Sequence, residues 1–477
     1  MTGCEFRYTL SMASEYFLIS DLHLGGDAAI DECDFEEELL GFLRSLEEYA
    51  QTREKPAEVQ QAVTPETDEL ELIIVGDAFG FWELTEKEGT DKLPHIISRH
   101  TEIFEQLRRT GEKLRITIMA GNHDHDLVCY PEFRYLLAEY NMQLESRYAV
   151  TRRCAGRDIW IEHGNQHDEY NRIERWGDPH AKPPGYFITE RLVSSANRKS
   201  RLGKEDWLRD LESVSPSENV PNWMLSNYFY REMHPLIRNI LVPFLLLTGI
   251  SLLILIGSLL EEFGLIPTAF FRDEIMYRPP VFGAAFRYFV TINLAAVFVV
   301  ALVAIPASVI IRDFRRTLER YELRFTAKKG EEKDRRYLTA ARRVFAEHPE
   351  VAVFVYGHTH VGSLSRVDGR LVVNTGTWLK RLHRIRSKLT LLPDVYYPSF
   401  RIGYYHIHSE TDATGDENIV VKHRAIPKTA PNDLSWVQRL ICFGKDKIGA
   451  PPIPDRTVIS SHPEKKRKSM RRRKRHS

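Results

Sequence analysis

Five short apolar runs lie in the outer parts of the chain, and each leads directly into a polar motif. The runs are Tyr16–Ser20, Leu70–Val75, Leu114–Ala120, Ile159–Glu162 and Val351–Tyr356. Apolar runs of this length, bounded by turn residues and mostly rich in β-branched residues, predict buried strands. Because the carboxyl ends of neighbouring parallel strands meet at one edge of a sheet, we expect the five motifs to converge on one site.

Two much longer apolar runs occupy the middle of the chain. Ile240–Leu260 contains 21 residues without a charge, and Phe289–Ile311 contains 23. At 1.5 Å per residue, a helix over either run could cross a hydrocarbon layer of about 30 Å. We therefore expect a hairpin of two transmembrane helices. The alternative interpretation is a pair of buried helices in a large soluble core.

The charges beside the long runs indicate how such a hairpin would be oriented. Arg312, Arg315 and Arg316 follow the second run, whereas the connecting loop Glu261–Arg287 carries acidic residues as well as arginines. Positive charge on the cytosolic side places this loop outside and both chain ends in the cytosol. The motifs agree with this orientation, because the last motif can join the first four only after an even number of crossings.

The motifs that follow the short runs contain the ligands that divalent cations prefer. They are Asp21-Leu22-His23, Gly76-Asp77, Gly121-Asn122-His123-Asp124, His163-Gly164 and Gly357-His358-Thr359-His360. Carboxylate, imidazole and amide donors together suit a pair of metal ions roughly 3.5–4 Å apart. Asp77, the single ligand of its motif, is the expected bridge. Asp21 and His23 lie two positions apart, so in an extended chain they would face the same way.

In their order and composition these motifs resemble those of the calcineurin-like metallophosphoesterases, over two segments of about 14–168 and 345–426. The resemblance implies a four-layer αββα sandwich, with two mixed sheets and helices on their outer faces. It also implies hydrolysis of a phosphate ester or diphosphate by two divalent metals, with manganese the expected ion and iron or zinc the other candidates. The implied site residues are Asp21, His23 and His360 for the first metal, Asn122, His163 and His358 for the second, Asp77 between them, His123 over the phosphate and Asp124 orienting His123.

Two departures from the family pattern concern the substrate. Gly80 stands where many members carry an acidic residue, three positions after the bridging aspartate. Phe81-Trp82 resembles the bacterial UDP-2,3-diacylglucosamine pyrophosphatases, which also place helices between the last two motifs. Those enzymes typically carry Arg at the position of His123, so the resemblance implies the chemistry without naming the substrate. Four polar residues beside the motifs are either partners of the ligands or surface residues: His125, Asp126, His167 and Asp168.

The length and charge distribution suggest how the chain is divided. With 477 residues it exceeds one ordinary domain. The expected parts are a first catalytic segment at 1–168, a helical insertion or lid at 169–235, the membrane hairpin at 236–311, a linking helix and second catalytic segment at 312–426, and a Pro-rich, basic tail at 427–477. Equal totals of 66 basic and 66 acidic residues conceal nine basic residues within Lys465–Arg475, which are either simply solvated or attracted to anionic lipid.

Five scattered cysteines without C-x-x-C spacing indicate reduced thiols.

Three functions are compatible with these features. We favour a membrane-anchored phosphoesterase or pyrophosphatase that acts on a lipid-linked substrate from the cytosolic side of the bilayer. A nuclease of the same family is the second, since a basic tail can hold nucleic acid, although the hairpin argues against it. A non-catalytic scaffold of the same fold is the third. The complete set of ligands, together with His123, argues against a scaffold.

Overall fold

The chain folds as a mixed α/β structure, as the sequence predicts. The computed structural model describes residues 14–26, 33–53, 70–187, 189–190, 213–214, 220–234, 250–267, 283–285, 287–288, 290–296, 298, 302, 330–387, 392–430, 434–435, 438–439 and 452–460. Within these residues, fourteen strands form two large sheets and one two-stranded ribbon. All five predicted strand runs are strands.

The first sheet has seven strands. They are β1 (Glu15–Ile19), β2 (Leu70–Val75), β3 (Arg115–Met119), β4 (Met142–Glu145), β12 (Gly403–Thr411), β13 (Glu417–Ala425) and β14 (Arg456–Ser460). Their order is β14-β13-β12-β1-β2-β3-β4. The four strands β1 to β4 run parallel, and β12 joins β1 antiparallel. Three of the five motifs therefore leave adjacent parallel strands at the same edge.

The second sheet has five strands, and a separate ribbon has two. The strands of the sheet are β5 (Ala149–Cys154), β6 (Arg157–Glu162), β7 (Val351–Tyr356), β8 (Ser363–Val367) and β9 (Arg370–Asn374), in the order β5-β6-β7-β9-β8. β6 and β7 are parallel neighbours, so the last two motifs also leave adjacent strands. The ribbon pairs β10 (Arg381–Ile385) with β11 (Val395–Ser399).

Seven helices and three short helical segments have their bounds within the described residues, and further helical residues occur at 184–187, 250–262 and, with gaps, 283–302. The helices are α1 (Glu36–Arg53), α2 (Lys92–Arg99), α3 (Thr101–Gly111), α4 (Asp126–Cys129), α5 (Pro131–Ala138), α6 (Val220–Asn227) and α7 (Gly330–Glu347). Two 3₁₀ turns cover Gly89–Asp91 and Asn165–His167, and a π-helical segment covers Tyr228–Glu232. In α1 the apolar residues Leu39, Leu43 and Leu46 recur at helical spacing, and all three are buried on the face that packs against the core.

The cores explain why the strand runs are apolar on both faces. Tyr16 and Leu18 of β1 enter the core between the two sheets, whereas Phe17 and Ile19 enter the core beneath the helices α1 to α3. Successive side chains of a strand point to opposite faces, so a strand covered on both sides must be apolar throughout. On the far side, α7 packs against the second sheet, for example through Phe345. The layers therefore form an α/β sandwich.

The predicted membrane hairpin lies largely outside the described residues. Of its two spans the structure describes 250–260, 290–296, 298 and 302, and these positions are helical. In the part of the chain that is described, no helix has both the length and the apolar character needed to cross a bilayer. Part of the predicted lid, all of 312–329 and the basic tail also lie outside the described residues, so these predictions remain predictions.

Candidate metal centre

The five motifs meet where β1, β2 and β3 of the first sheet approach β6 and β7 of the second. Backbone bonds join them directly: the Asp21 N–H donates to the Gly76 carbonyl at 3.1 Å, and the Gly357 N–H donates to the His163 carbonyl at 2.9 Å. Asp21 Oδ2 also accepts from the His358 N–H at 3.1 Å. The loops of the two sheets are therefore held together by the same residues that carry the ligand side chains.

The ligand residues have an uncommon backbone conformation. Asp21, His23, Asp77, His358 and His360 all have φ between 46° and 63°, and they make up most of the non-glycine residues with positive φ in the described part. Residues other than glycine rarely adopt this left-handed backbone conformation, and those that do are concentrated at functional sites. The extended chain assumed for Asp21 and His23 was therefore wrong. Tight turns, and not strand geometry, bring these two residues together.

The first group of ligands consists of Asp21, His23 and His360, as the resemblance implies. His360 Nε2 lies 3.2 Å from Asp21 Oδ1, and His23 Nε2 lies 3.3 Å from His360 Nε2. One ligand atom of each residue falls within 4.8 Å of the others, which is close enough for a single ion. All three side chains are buried or nearly so. The set provides two imidazoles and one carboxylate.

The second group contains Asp77, His163 and His358, whose ligand atoms also lie within 4.8 Å of one another. His163 Nδ1 lies 2.8 Å from the Val75 carbonyl oxygen, which can only accept a proton. In the neutral ring this hydrogen bond places the proton on Nδ1, and it leaves the lone pair of His163 Nε2, 3.1 Å from Asp77 Oδ2, available to a metal ion.

Asp77 lies between the two groups. Its Oδ2 is 3.1 Å from His163 Nε2 in one group and 3.7 Å from His23 Nε2 in the other. Its Oδ1 accepts the His123 N–H at 2.8 Å. Asn122, the residue before His123, is fully buried. A carboxylate in this position can contact two cations at once, as the bridging role requires.

Several buried atoms of the cluster fit bound cations. Asp21 Oδ1, His163 Nε2 and both amide atoms of Asn122 have less than 1 Å² of exposed surface and no hydrogen-bond partner in the described part of the chain. Buried polar atoms nearly always find a partner, because leaving one unsatisfied costs about 1–3 kcal/mol. A metal ion would provide the missing partner for the carboxylate oxygen, the imidazole nitrogen and the amide oxygen. The residues present therefore fit a pair of divalent ions.

Electrostatics keep His23 and Asp77 in the protonation states that metals require, whereas the burial that would lower the pKa of His163 is outweighed by the Asp77 carboxylate, which raises it to about 10. Burial and the nearby His123 ring lower the pKa of His23 to about 4, so His23 is neutral near pH 7. Burial by itself would raise the pKa of Asp77, but the neighbouring imidazoles of His163 and His123 outweigh it, and the pKa falls well below its ordinary value. Neutral imidazole and ionised carboxylate are the forms that bind metals.

Two glycines are required by close packing around the ligands. A Cβ atom on Gly121 would collide with Asp77 Oδ1, and one on Gly76 would collide with the His163 ring. Gly76 also has φ +82°, where a side chain would be strained. These glycines allow the ligands to approach within bonding distance of a shared site.

His123 has a partner that sequence reasoning missed. Glu83 Oε1 lies 2.6 Å from His123 Nδ1, and Glu83 is only 1% exposed. The Trp82 ring stacks on the His123 ring with a centroid distance of 4.1 Å. Position 80 carries no acidic residue, but Glu83, three positions further on, supplies a carboxylate beside His123. The signal was present as the only carboxylate in Gly76–Glu83 other than Asp77.

Asp124 has a different role from the one expected. Its Oδ1 accepts the Gly121 N–H at 2.6 Å, and its Oδ2 accepts the Ala78 N–H at 2.7 Å and the Phe79 N–H at 3.2 Å. Asp124 thus ties the loop after β2 to the loop after β3, whereas Glu83 is the carboxylate that contacts the His123 ring. Burial, together with the charge of Asp77, raises the pKa of Asp124 to about 7.

His125, Asp126, His167 and Asp168, the four polar residues beside the motifs, each contact another residue of the protein. Asp168 Oδ2 lies 3.3 Å from His358 Nε2, and His167 Nε2 lies 2.6 Å from Glu162 Oε1. The other two bind the first part of the insertion. His125 Nε2 accepts the Gly177 N–H at 3.0 Å, and Asp126 pairs with Lys182. His125 and Asp126 also form a possible ligand group with Cys129, but these contacts already occupy them.

The arrangement has the components of a dinuclear centre in which one carboxylate serves two ligand groups, with an imidazole held alongside. Six of the seven predicted ligands and His123 come together, although they arise from segments more than 300 residues apart, and Asn122 directly precedes His123 in the chain. Comparison of the sequence with protein-family models gave no match, and neither did comparison with curated proteins.

Proposed function

We propose that the protein is a dinuclear, metal-dependent phosphoesterase or pyrophosphatase with the four-layer αββα fold of the metallophosphoesterases. The observation that carries this proposal is the position of Asp77 between two ligand groups, with the His123–Glu83 pair beside it. The packing of helices on the outer faces of two stacked sheets supports the fold.

The chain's own residues account for the remaining steps of hydrolysis. When bound, two divalent cations would neutralise the phosphate oxygens and activate a water molecule. His123 lies beside both groups, with its ring 4.5 Å from that of His23. Glu83 orients the His123 ring through Nδ1, which directs Nε2 away from Glu83. His123 can therefore donate a hydrogen bond or a proton to the leaving oxygen.

Metal-dependent hydrolysis of bis(p-nitrophenyl) phosphate by the full chain in detergent tests this activity. We expect release of p-nitrophenol with Mn²⁺ and none with EDTA. The His123→Ala variant should lose roughly 10²–10⁴ in rate while it retains both metals. The exposed His180→Ala variant is the matched control and should behave as wild type. Full activity in EDTA would reject the proposal, and preferential degradation of single-stranded DNA would favour the nuclease.

The surroundings of His123 support a substrate with an apolar part. Tyr186 meets Trp82 edge-on with ring centroids 5.8 Å apart, and Phe187 continues the contact at 5.3 Å. Phe187 is 54% exposed. This aromatic path leads from the candidate metal centre to the surface along the first part of the insertion, where the predicted lid begins. Phe187→Ser should therefore weaken hydrolysis of a lipid-linked phosphate more than that of bis(p-nitrophenyl) phosphate.

The described parts of the two long apolar runs support attachment to a bilayer. On the helix over 250–262, Leu253 is 65% exposed and Ile256 is 51% exposed, whereas Ser251 and Glu261 are buried. On the second run Ile292 is 65% exposed while Asn293 is fully buried. Polar groups inside and apolar groups outside are typical of helices that face lipid. We therefore extend the proposal to a membrane-anchored enzyme with a lipid-linked substrate.

A further inference from the structure

The ribbon of β10 and β11 begins beside the candidate metal centre. The Trp378 N–H donates to the Asp21 carbonyl at 3.4 Å, and Lys380 pairs with Asp34 at 2.8 Å. Arg381, the first residue of β10, follows only three residues after Trp378. Three extended residues span at most about 10 Å, so Arg381 begins within that distance of the Trp378 backbone.

Two polar groups on one face of this ribbon lack partners. The register places Arg381 directly opposite Ser399 and His383 opposite Tyr397, so these four side chains share a face. Arg381 Nε and Ser399 Oγ are both buried, and neither has a hydrogen-bond partner among the described residues. Side chains directly opposite each other have Cβ atoms about 5 Å apart, which is close enough to bind one ligand.

The charges around these groups are positive. Burial and the charge of Arg401 lower the pKa of Arg381 to about 10. Burial and the charges of Arg381 and Arg401 lower the pKa of His383 to about 4. Burying part of a cation that has no opposite charge beside it is costly, so the Arg381 guanidinium, whose Nε is buried, calls for an anion. Guanidinium and hydroxyl donors together suit the oxygen atoms of a phosphate.

We propose that Arg381 and Ser399, with Arg401 at the rim, bind a second phosphate group of the substrate while the first lies at the metal centre. The assignment of this anion to the substrate depends on the proposed function. It narrows that function to hydrolysis of a diphosphate in place of a simple phosphodiester. The ribbon would distinguish the two substrate classes, because only a diphosphate could reach both the metal centre and Arg381.

Anion binding can be tested without the metals. Pyrophosphate titrated into EDTA-treated full-length protein should raise the melting temperature of the wild type saturably, because a ligand stabilises the state that binds it. The Arg381→Gln variant should show no such rise. The Arg424→Gln variant, altered at an exposed arginine of β13, should respond as wild type. A wild type that does not respond, or an Arg381→Gln variant that responds normally, would overturn the proposal.

The same variants test whether Arg381 serves only as a structural partner. Without pyrophosphate, Arg381→Gln should melt at or above the wild-type temperature, since it removes a buried charge that lacks a counter-charge. Ser399→Ala should also melt near the wild-type temperature and should weaken the response to pyrophosphate. A marked fall in the melting temperature of Arg381→Gln would instead reveal an internal counter-charge and would overturn the proposal.

Kinetics then assign the anion to the substrate. With Mn²⁺, Arg381→Gln should raise the KM for a nucleoside diphosphate-linked sugar by roughly 10- to 100-fold. The change in KM for bis(p-nitrophenyl) phosphate, which carries only one phosphate group, should be much smaller. Equal effects on both substrates would overturn the diphosphate assignment. If the wild type hydrolyses neither substrate, the proposed function fails, while the metal-free pyrophosphate titration still decides whether Arg381 binds an anion.

Discussion

Asp77 is the residue on which the candidate centre depends most, because its Oδ2 lies near a histidine of each ligand group. Asp77→Ala should abolish phosphodiester hydrolysis and remove more metal than any other single ligand substitution, since both ions would lose a ligand. Elemental analysis of the purified variant measures this. Asp158→Ala, which removes a carboxylate in a surface ion pair with Arg153, is the control and should retain two equivalents of metal. Normal turnover with two equivalents in Asp77→Ala would disprove the bridging assignment.

Glu83 should act through His123 and not through the metals. Glu83→Gln should lower kcat roughly 10- to 100-fold, the usual effect of removing a residue that orients another, while KM and metal content stay near wild type. The Glu83→Gln/His123→Ala double variant should be no slower than His123→Ala, because Glu83 would have nothing left to orient. Additive losses in the double variant, or loss of metal in Glu83→Gln, would show that Glu83 has a separate role.

At the scale of elements, Glu15 links β1 to its neighbours. It accepts bonds from Tyr49 of α1 at 2.7 Å and from His406 of β12 at 2.8 Å. Burial by itself would raise the pKa of Glu15, but these contacts outweigh it and lower the pKa from 4.5 to about 2. An acid with a lowered pKa stabilises the fold above its unfolded pKa, and that stability is lost as the pH falls through the folded value.

The pH dependence of unfolding should therefore reveal this contact. Glu15→Gln should be less stable than wild type by about 1 kcal/mol at pH 7, after allowance for solvent screening of a partly exposed group. The difference should shrink as the pH falls from 4.5 to about 2, where Glu15 becomes protonated. Denaturant unfolding at several pH values measures it, with the exposed Glu417→Gln as control. A difference that stays constant across this range would contradict the prediction.

At the scale of the whole molecule, the predicted hairpin lies in the chain between the His163 and His358 motifs of the candidate centre. Deleting Ile240–Ile311 and joining the ends with a short Gly/Ser linker should leave hydrolysis of bis(p-nitrophenyl) phosphate near normal. Activity on a lipid-linked phosphate in vesicles should fall sharply, because enzyme and substrate would no longer share one surface. Equal loss on both substrates would indicate a structural hairpin, and unchanged activity on vesicles would exclude the lipid-linked substrate.

The orientation of the hairpin has its own test. An epitope placed in Glu261–Arg287 should resist protease added from the cytosolic side, since the flanking arginines place this loop outside. A second epitope at positions 54–67, which follow α1 in the chain and are rich in polar residues, is the control and should be digested. Digestion of both epitopes from the cytosolic side would contradict the predicted orientation.

The sequence by itself determined the strands and the types of ligand. A run such as Val351–Tyr356 is apolar throughout because both of its faces are covered, and that information is local to the run. The nature of the ligands was local as well, because a metal site needs carboxylate and imidazole groups in any fold. The convergence of the motifs followed from the rule that parallel strands end at the same edge.

Only the tertiary structure decided which side chains contact each other. Glu83 and His123 lie 40 positions apart, and Arg381 and Ser399 meet only through the register of a ribbon. The left-handed conformations of Asp21 and His23 replaced the expected extended chain, because the ligands must turn toward a shared site. Contacts of this kind depend on turn geometry and register, which are set by the packing of distant segments and not by the pattern of residues within any one of them.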